Sequence, residues 1–238
     1  FENFRVMAAA IDRRSRYLRD FAASVSHEFK TPLAGISGAI ELFEDHGATM
    51  TPTERERFLG NIKADAARLS QLVTRLLDLA RADMAQPGPD VPADALAAIR
   101  RVADAHDGPG FRVRHDAGAA LPLVAVQDST VEMVLTTLIE NARQAGAGEV
   151  TIALAQMGGD LAMTVTDNGR GIAPADAERV FEPFFTTRRA AGGTGLGLAI
   201  AMSLLRAVHA RLTLVPEAPG TRFAVTLPIV QGAGAISK

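Results

Sequence analysis

The stretch NIKADAARLSQLVTRLLDLA, Asn61 to Ala80, sets Ile62, Leu69 and Leu76 seven residues apart, with Leu72 and Leu79 interleaved. An apolar stripe that narrow, repeating every seven residues, is a coiled-coil seam. Its helix starts upstream at Thr51-Pro52-Thr53-Glu54. There Thr51 is the N-cap, Pro52 fits the first turn and Glu54 closes a capping box. Before it, Asp45-His46-Gly47 breaks an earlier helix. That helix carries Leu18, Phe21, Val25, Phe29, Ile36, Ile40 and Phe43 at three- and four-residue steps. Two helices joined by a short turn make a helical hairpin. Alone it buries too little apolar surface, so pairing with a second copy into a dimeric four-helix bundle is expected.

Downstream of the seam, Ala85-Gln-Pro-Gly-Pro-Asp-Val-Pro92 reads as a domain boundary. Beyond it the periodicity changes. A helix from about Ala93 to Ala105 is expected, then strands near Phe111–Arg114 and Leu123–Val126. A long helix follows from Asp128 to Ala145. Strands Val150–Ala155 and Leu161–Thr166 turn through Gly158-Gly159. A helix from near Gly195 to His209 precedes two last strands, Leu212–Val215 and Arg222–Thr226. Strands mixed with segregated helices predict an α+β sandwich, one mixed sheet covered by helices on one face. The expected organisation is 1–16 as the end of an upstream helical module, 17–85 as the hairpin, 86–92 as linker, 93–230 as the sandwich and 231–238 as a tail.

Composition removes several functions. Of 238 residues, 47% are hydrophobic and 22% charged, which is the balance of a folded globular chain. A formal charge of −2 without a basic run argues against nucleic-acid binding. The absence of cysteine excludes a disulfide framework, a thiol nucleophile and a cysteine-held metal. The histidines at 27, 46, 106, 115 and 209 have no pair at helical ligand spacing, so no zinc site is expected. No apolar stretch is long enough to span a membrane and no signal peptide is visible. The chain opens at Phe1 within a helical pattern, and is expected to be a piece of something longer.

Within the first helix lies Ser26-His27-Glu28-Phe29-Lys30-Thr31-Pro32-Leu33. His27 follows Val25 by two residues, about 200° around the helix, and so faces outward from the seam. Exposure is required if a separate domain is to deliver a phosphate to it. Glu28 is suited to accept the proton of one ring nitrogen, leaving the other as a lone-pair nucleophile. Thr31 is one turn from His27 on the same face, where a hydroxyl can orient a water. Pro32 removes a helical hydrogen bond and predicts a kink beside the histidine.

The later half carries three further pieces. Thr137-Leu-Ile-Glu-Asn141-Ala142 places an amide oxygen, a hard ligand suited to Mg²⁺, on the long helix. Asp167-Asn-Gly169-Arg-Gly171-Ile172 ends a strand with a carboxylate able to accept from an adenine amine, beside glycines that let backbone approach the base. Gly192-Gly193-Thr194-Gly195-Leu196-Gly197-Leu198 leads straight into a helix, the form of a phosphate cradle. It is neither the Rossmann fingerprint nor the P-loop. Between the last two, Phe181-Glu-Pro-Phe184-Phe185-Thr-Thr-Arg188-Arg189 reads as the anchor of a lid, its arginines either meeting a γ-phosphate or solvated.

His27-Glu-Phe-Lys-Thr-Pro-Leu33 resembles the phosphoacceptor box of sensor histidine kinases. The segments at Asn141, Asp167–Gly171, Phe181–Phe185 and Gly193–Gly197 resemble that family's asparagine, first glycine, phenylalanine and second glycine boxes, in that order. The resemblance runs from residue 15 to 228. It implies a dimerisation and histidine phosphotransfer domain, then an ATP-binding domain of the type shared with Hsp90, DNA gyrase and MutL. It implies Mg²⁺- and ATP-dependent autophosphorylation of His27, and transfer to an aspartate on the receiver domain of a response regulator; Glu28 is expected to serve the first step and Thr31 the removal of phosphate from the regulator. Phosphatase activity toward that regulator is also expected. Asn141 is then the Mg²⁺ ligand and Asp167, Gly169 and Gly171 bind adenine. Gly193, Thr194, Gly195, Leu196 and Gly197 cover the phosphates. The resemblance further implies a homodimer and the cytoplasmic portion of a bacterial inner-membrane protein, tethered only through upstream segments. Three positions depart from the family pattern. Thr137 stands where the family has a second asparagine, and Gln144-Ala145 where it often has Lys-Tyr. Arg143, Arg188 and Arg189 are candidates for the missing cation. In the related ATPases the Thr137 position holds a water-activating glutamate, so its absence favours phosphotransfer over hydrolysis.

Overall fold

The computed structural model describes residues 2–84, 92–117, 121–189, 192–215 and 219–230. The expected tail and all of the expected linker but Pro92 lie outside them. The chain divides into two compact units, one of residues 1–77 with 183–195, the other of residues 78–182 with 196–238.

The first unit is built on two long helices, α1 (Glu2–His46) and α2 (Pro52–Met84), of which α2 continues into the second unit. The turn between them is tight. The Gly47 N–H donates to the Phe43 carbonyl at 3.0 Å, and Arg55 Nη2 donates to the Gly47 carbonyl at 2.7 Å. A side chain at Gly47 would overlap the Phe43 carbonyl oxygen, so glycine is required there. The capping box forms as the sequence predicts. Thr51 N–H donates to Glu54 Oε2 at 2.9 Å, and Glu54 N–H to Thr51 Oγ1 at 3.3 Å. Leu72 and Leu79 of the seam are buried, and Phe43 meets Phe58 edge-on at 6.2 Å. Leu33, Ile40, Leu59, Val73 and Leu77 stay exposed in the single chain.

The Thr51 hydroxyl and then its N–H hold the Glu54 carboxyl below the ordinary carboxylate range. A depressed folded value means that the stabilisation is present above the unfolded carboxylate range and is lost as pH falls through the folded value. Thermal melts should therefore find Glu54→Ala less stable than the parent near neutrality, with the gap closing on acidification. A gap that stays constant with pH would rule out a role for the charge.

The second unit is a five-stranded sheet with helices. Its elements are α3 (Ala95–His106), β1 (Arg112–Ala117), α4 (Asp128–Gln144), β2 (Glu149–Met157), β3 (Asp160–Asp167), α5 (Gly197–Ala207), β4 (Arg211–Val215) and β5 (Thr221–Pro228). The strand order is β1-β2-β3-β5-β4. Only β1 and β2 run parallel, so the sheet is mixed. Alternation fixes one covered face. Leu161, Met163, Val165 and Asp167 of β3 are buried, as are Thr221, Phe223, Val225 and Leu227 of β5, while their neighbours are only half-buried. Those apolar residues form one core with Ile99 of α3, Leu135, Leu138 and Ile139 of α4, and Leu205 of α5. Asp94 caps α3, its Oδ1 accepting from the N–H groups of Leu96 at 3.0 Å and Ala97 at 3.1 Å.

One expected strand does not form. Residues 123–126 make only single bridges, Val124 pairing with Ala93 on one side and Ile229 on the other. Val124 is fully buried there, between the residues that lead into α3 and those that follow β5, and its apolar character reflects that burial rather than a ladder. The first strand also lies slightly later than predicted, at Arg112–Ala117.

Candidate functional site

In the first unit, His27 projects from α1 into solvent, in agreement with its register opposite the seam. Thr31 is also exposed, and its Oγ1 donates to the His27 carbonyl at 3.4 Å. The helix continues through Pro32, whose missing N–H leaves the Glu28 carbonyl without its helical donor. Glu28, about 100° around the helix from His27, is buried, at 5% exposure. Its Oε1 accepts from Arg189 Nε at 2.8 Å, and its Oε2 lies 3.5 Å from Arg68 Nη2. The expected contact of Glu28 with the His27 ring is therefore replaced, in this conformation, by two arginines.

The glycine-rich segment folds back on the residues before it. Gly195 has φ +66, and a Cβ there would stand 2.5 Å from the Phe184 carbonyl carbon. Its carbonyl accepts from Phe184 N–H at 2.9 Å. The Gly193 N–H donates to the Arg188 carbonyl at 3.1 Å and is not directed outward. Thr194 lies half-buried between these glycines.

In the second unit, strand parity carries Asp167 to the end of the covered face of β3, where it is 8% exposed. Its Oδ1 accepts from Gly169 N–H at 2.8 Å, which orients the carboxylate. Gly169 is packed against Ala145 at the end of α4, where a Cβ would come 3.1 Å from the alanine methyl. Gly171, at φ +75, would bring a Cβ within 2.9 Å of the Gly220 carbonyl oxygen. Gly220, at φ +99, has no room for a Cβ because the Asp167 carbonyl occupies that space. Asn141, half-buried, lies one turn from both Ala145 and Thr137 on the same stripe of α4. Thr137 is buried, and a Cβ on Gly197 would stand 3.1 Å from its methyl. Leu196, fully buried, precedes α5, which has no side-chain cap on its first N–H groups. Asn141, Asp167, Gly169, Gly171, Leu196 and Gly197 thus gather where α4, β3 and α5 meet.

Two residues of this cluster were not singled out in the sequence. Thr221 pairs in register with Asp167 and is buried at 5% exposure on the same face. The signal was a threonine in phase with Phe223, Val225 and Leu227. Gly220 precedes it, and the Pro219-Gly220 pair marked only a turn. Two of the three candidate cations are engaged elsewhere in this structure, Arg189 on Glu28 and Arg143 within the second unit. The Arg143 guanidinium lies 4.5 Å over the Phe111 ring and donates to the His106 carbonyl at 2.8 Å.

Among the described residues, no group of three or more His, Asp or Glu is placed to hold a metal ion. A hard cation bound mainly by phosphates, with Asn141 adding one oxygen, is the arrangement this donor set fits. No helix among the described residues is long and apolar enough to cross a membrane.

Two family models match. Residues 17–85 match the His Kinase A (phospho-acceptor) domain, and residues 127–231 match the histidine kinase-, DNA gyrase B- and HSP90-like ATPase. The chain belongs to the sensor histidine kinases. This histidine kinase chain is similar to the probable sensor histidine kinase TcrY of Mycobacterium tuberculosis, 36% identical over 235 residues, covering 94% of this chain and 49% of the relative. It is 36% identical over 225 residues to the sensor-like histidine kinase SenX3 of the same species, covering 89% of this chain and 53% of that one. It therefore spans about half the length of these curated relatives. Among solved structures, full-length ShkA in complex with AMPPNP gives a TM-score of 0.63 at 27% identity, covering 89% of this chain and 46% of ShkA. ThkA, solved in complex with the response regulator protein TrrA, gives 0.70 at 21% identity, a likeness of fold covering 92% and 64% of the two chains.

Proposed function

We propose that this chain transfers the γ-phosphate of ATP to its own His27 and then to an aspartate of a response regulator receiver domain. The observation that carries the reading is the exposed imidazole in a phosphoacceptor segment of α1, in a chain that also holds the Asp167 cluster. One ring nitrogen of His27 attacks the γ-phosphorus with its lone pair. The bond from phosphorus to the bridging oxygen breaks, and ADP leaves with those electrons. Glu28 holds the proton of the other ring nitrogen. Asp167 and Thr221 bind the adenine edge, and Asn141 would give one oxygen to Mg²⁺, which neutralises phosphate charge when bound. The AMPPNP held by ShkA supports the nucleotide. The exposed Leu33, Ile40, Leu59, Val73 and Leu77 support a homodimer that completes a four-helix bundle. We place the chain as the cytoplasmic portion of a membrane sensor, joined to it upstream.

The test is incubation with γ-labelled ATP and Mg²⁺, which should give acid-labile, base-stable label on the protein. Absence of label with retained nucleotide binding would favour the second reading, a non-catalytic nucleotide-binding dimer. Thr137 and Gln144, and the engagement of Arg143 elsewhere, are the features in its favour.

Asp167→Asn should weaken binding of a fluorescent ATP analogue. A donor would then face the adenine amine, a mismatch of about 1–3 kcal/mol, or roughly ten- to a hundredfold. Unchanged affinity would make the Asp167–Gly169 turn purely structural.

Thr31→Ala should separate two activities. Autophosphorylation does not need the hydroxyl, whereas removal of phosphate from the regulator needs an oriented water. Loss of that hydrogen bond should slow dephosphorylation by about ten- to a hundredfold. Alanine is the better helix former, so α1 should be unharmed. Equal rates of phosphate loss from the regulator with parent and variant would reduce Thr31 to a solvated helix residue.

A further inference from the structure

Glu28 adjoins exposed His27, yet its side chain is only 6% accessible, and its two oxygens are shared between two arginines of different character. Arg68 extends from α2, is 27% accessible, and reaches Oε2 at 3.5 Å. Arg189 belongs to the connecting segment 183–195, is 52% accessible, and reaches Oε1 at 2.8 Å. The fixed partner thus makes the longer contact and the exposed partner the shorter one. Arg68 also donates to the Arg189 carbonyl at 3.4 Å, so the three groups form one cluster.

The same segment has a second anchor on α1. Phe184 is buried with its ring 5.4 Å from that of Phe21, which in turn stacks on Tyr17 at 6.2 Å. Phe21 and Glu28 are seven residues apart, so both anchors use one face of the helix. Phe184 holds φ 67, a left-handed backbone that a bulky residue adopts only under constraint. A strained segment pinned by one ring and one half-exposed ion pair is suited to exist in two states.

We propose that Arg189 is a releasable latch on Glu28, and Arg68 its fixed positioning residue. While the latch is closed, both carboxylate oxygens are engaged and the acid is kept off the imidazole. When Arg189 leaves, Arg68 retains Oε2 and Oε1 becomes available to the His27 ring N–H. The proposal rests on Glu28 serving His27 in the autophosphorylation described above.

Two measurements test it. The first is the initial rate of labelling from γ-labelled ATP. Arg189→Ala should raise it about two- to fivefold, the shift expected from losing one half-exposed ion pair. Arg68→Ala should lower kcat without changing KM for ATP, and Arg68→Lys should restore part of the loss. The second measurement is independent of catalysis. The chain has no cysteine, so Ala23→Cys and Thr187→Cys can carry spin labels cleanly, diluted with unlabelled chain. The label-to-label distance should be short and narrowly distributed in the Arg189 background, and longer or broader with Arg189→Ala. A rate that falls or stays the same in Arg189→Ala overturns the latch, as does an unaltered distance distribution. A parent chain that takes up no label refutes the kinase reading instead, and the distances still decide whether the latch exists.

Discussion

Replacing His27 by glutamine should abolish acid-labile labelling from ATP while nucleotide affinity stays at the parent level. The reasoning is chemical and structural at once. The imidazole nitrogen is the proposed acceptor, and an amide has no comparable lone-pair nitrogen to attack phosphorus. His27 is exposed, so its replacement removes no core contact. Glutamine is also at least as good a helix former as histidine, which keeps α1 intact. The Asp167 cluster is built from α4, β3, β5 and α5, none of which includes residue 27. The expected result is complete loss of one signal against no change in another, read by labelling and by titration with a fluorescent ATP analogue. Label that persists on the variant would assign the acceptor to another residue.

The second large effect is expected at Gly220. Alanine there must place its methyl where the Asp167 carbonyl oxygen already stands, and at φ +99 the backbone conformation is itself closed to it. The collision lies where β3 and β5 end, at the pair Asp167–Thr221. Relief requires the two strand ends to part, which moves the carboxylate and the threonine together. A cost on the order of 3 kcal/mol or more is expected, the class of effect seen when strain and overpacking coincide. Gly158→Ala is the control. Its φ of +63 is also left-handed, but a Cβ there meets nothing within 4 Å, so only the backbone cost of about 1–2 kcal/mol remains. Denaturant melts and nucleotide titration should rank the two variants in that order. If Gly220→Ala unfolds and binds like the parent, closure of these strand ends does not set the position of Asp167.

Much of this was legible in the sequence where the signal is local. The turn of α1 into α2 was written in Gly47 and in the Thr51–Glu54 box, and the outward register of His27 followed from Val25. Helix periodicity and the Gly158-Gly159 hairpin gave the alternation of elements in the second unit. Other features depend on partners far along the chain. Glu28 carries no mark of Arg68 or Arg189, because ion pairs formed across 40 residues and more leave no periodicity. Leu123–Val126 read as a strand because it is a short continuous apolar run, although Val124 makes only single bridges, to Ala93 and to Ile229 just past β5. Thr221 and Gly220 gain meaning only from the register that sets them against Asp167.

The unbroken course of α1 has a mechanical meaning. From Glu2 to His27 the helix advances about 1.5 Å per residue, or about 38 Å, and contains no proline or glycine over that length. The one proline, Pro32, comes after the phosphoacceptor. A helix of this kind acts as a drive shaft whose joint lies beyond the part it turns. Between Glu2 and His27 no residue interrupts the helix, so a twist applied upstream would meet its first weak point at Pro32, where a helical hydrogen bond is missing. The imidazole thus lies on the stiff side of that joint, and the lower half of the hairpin on the other.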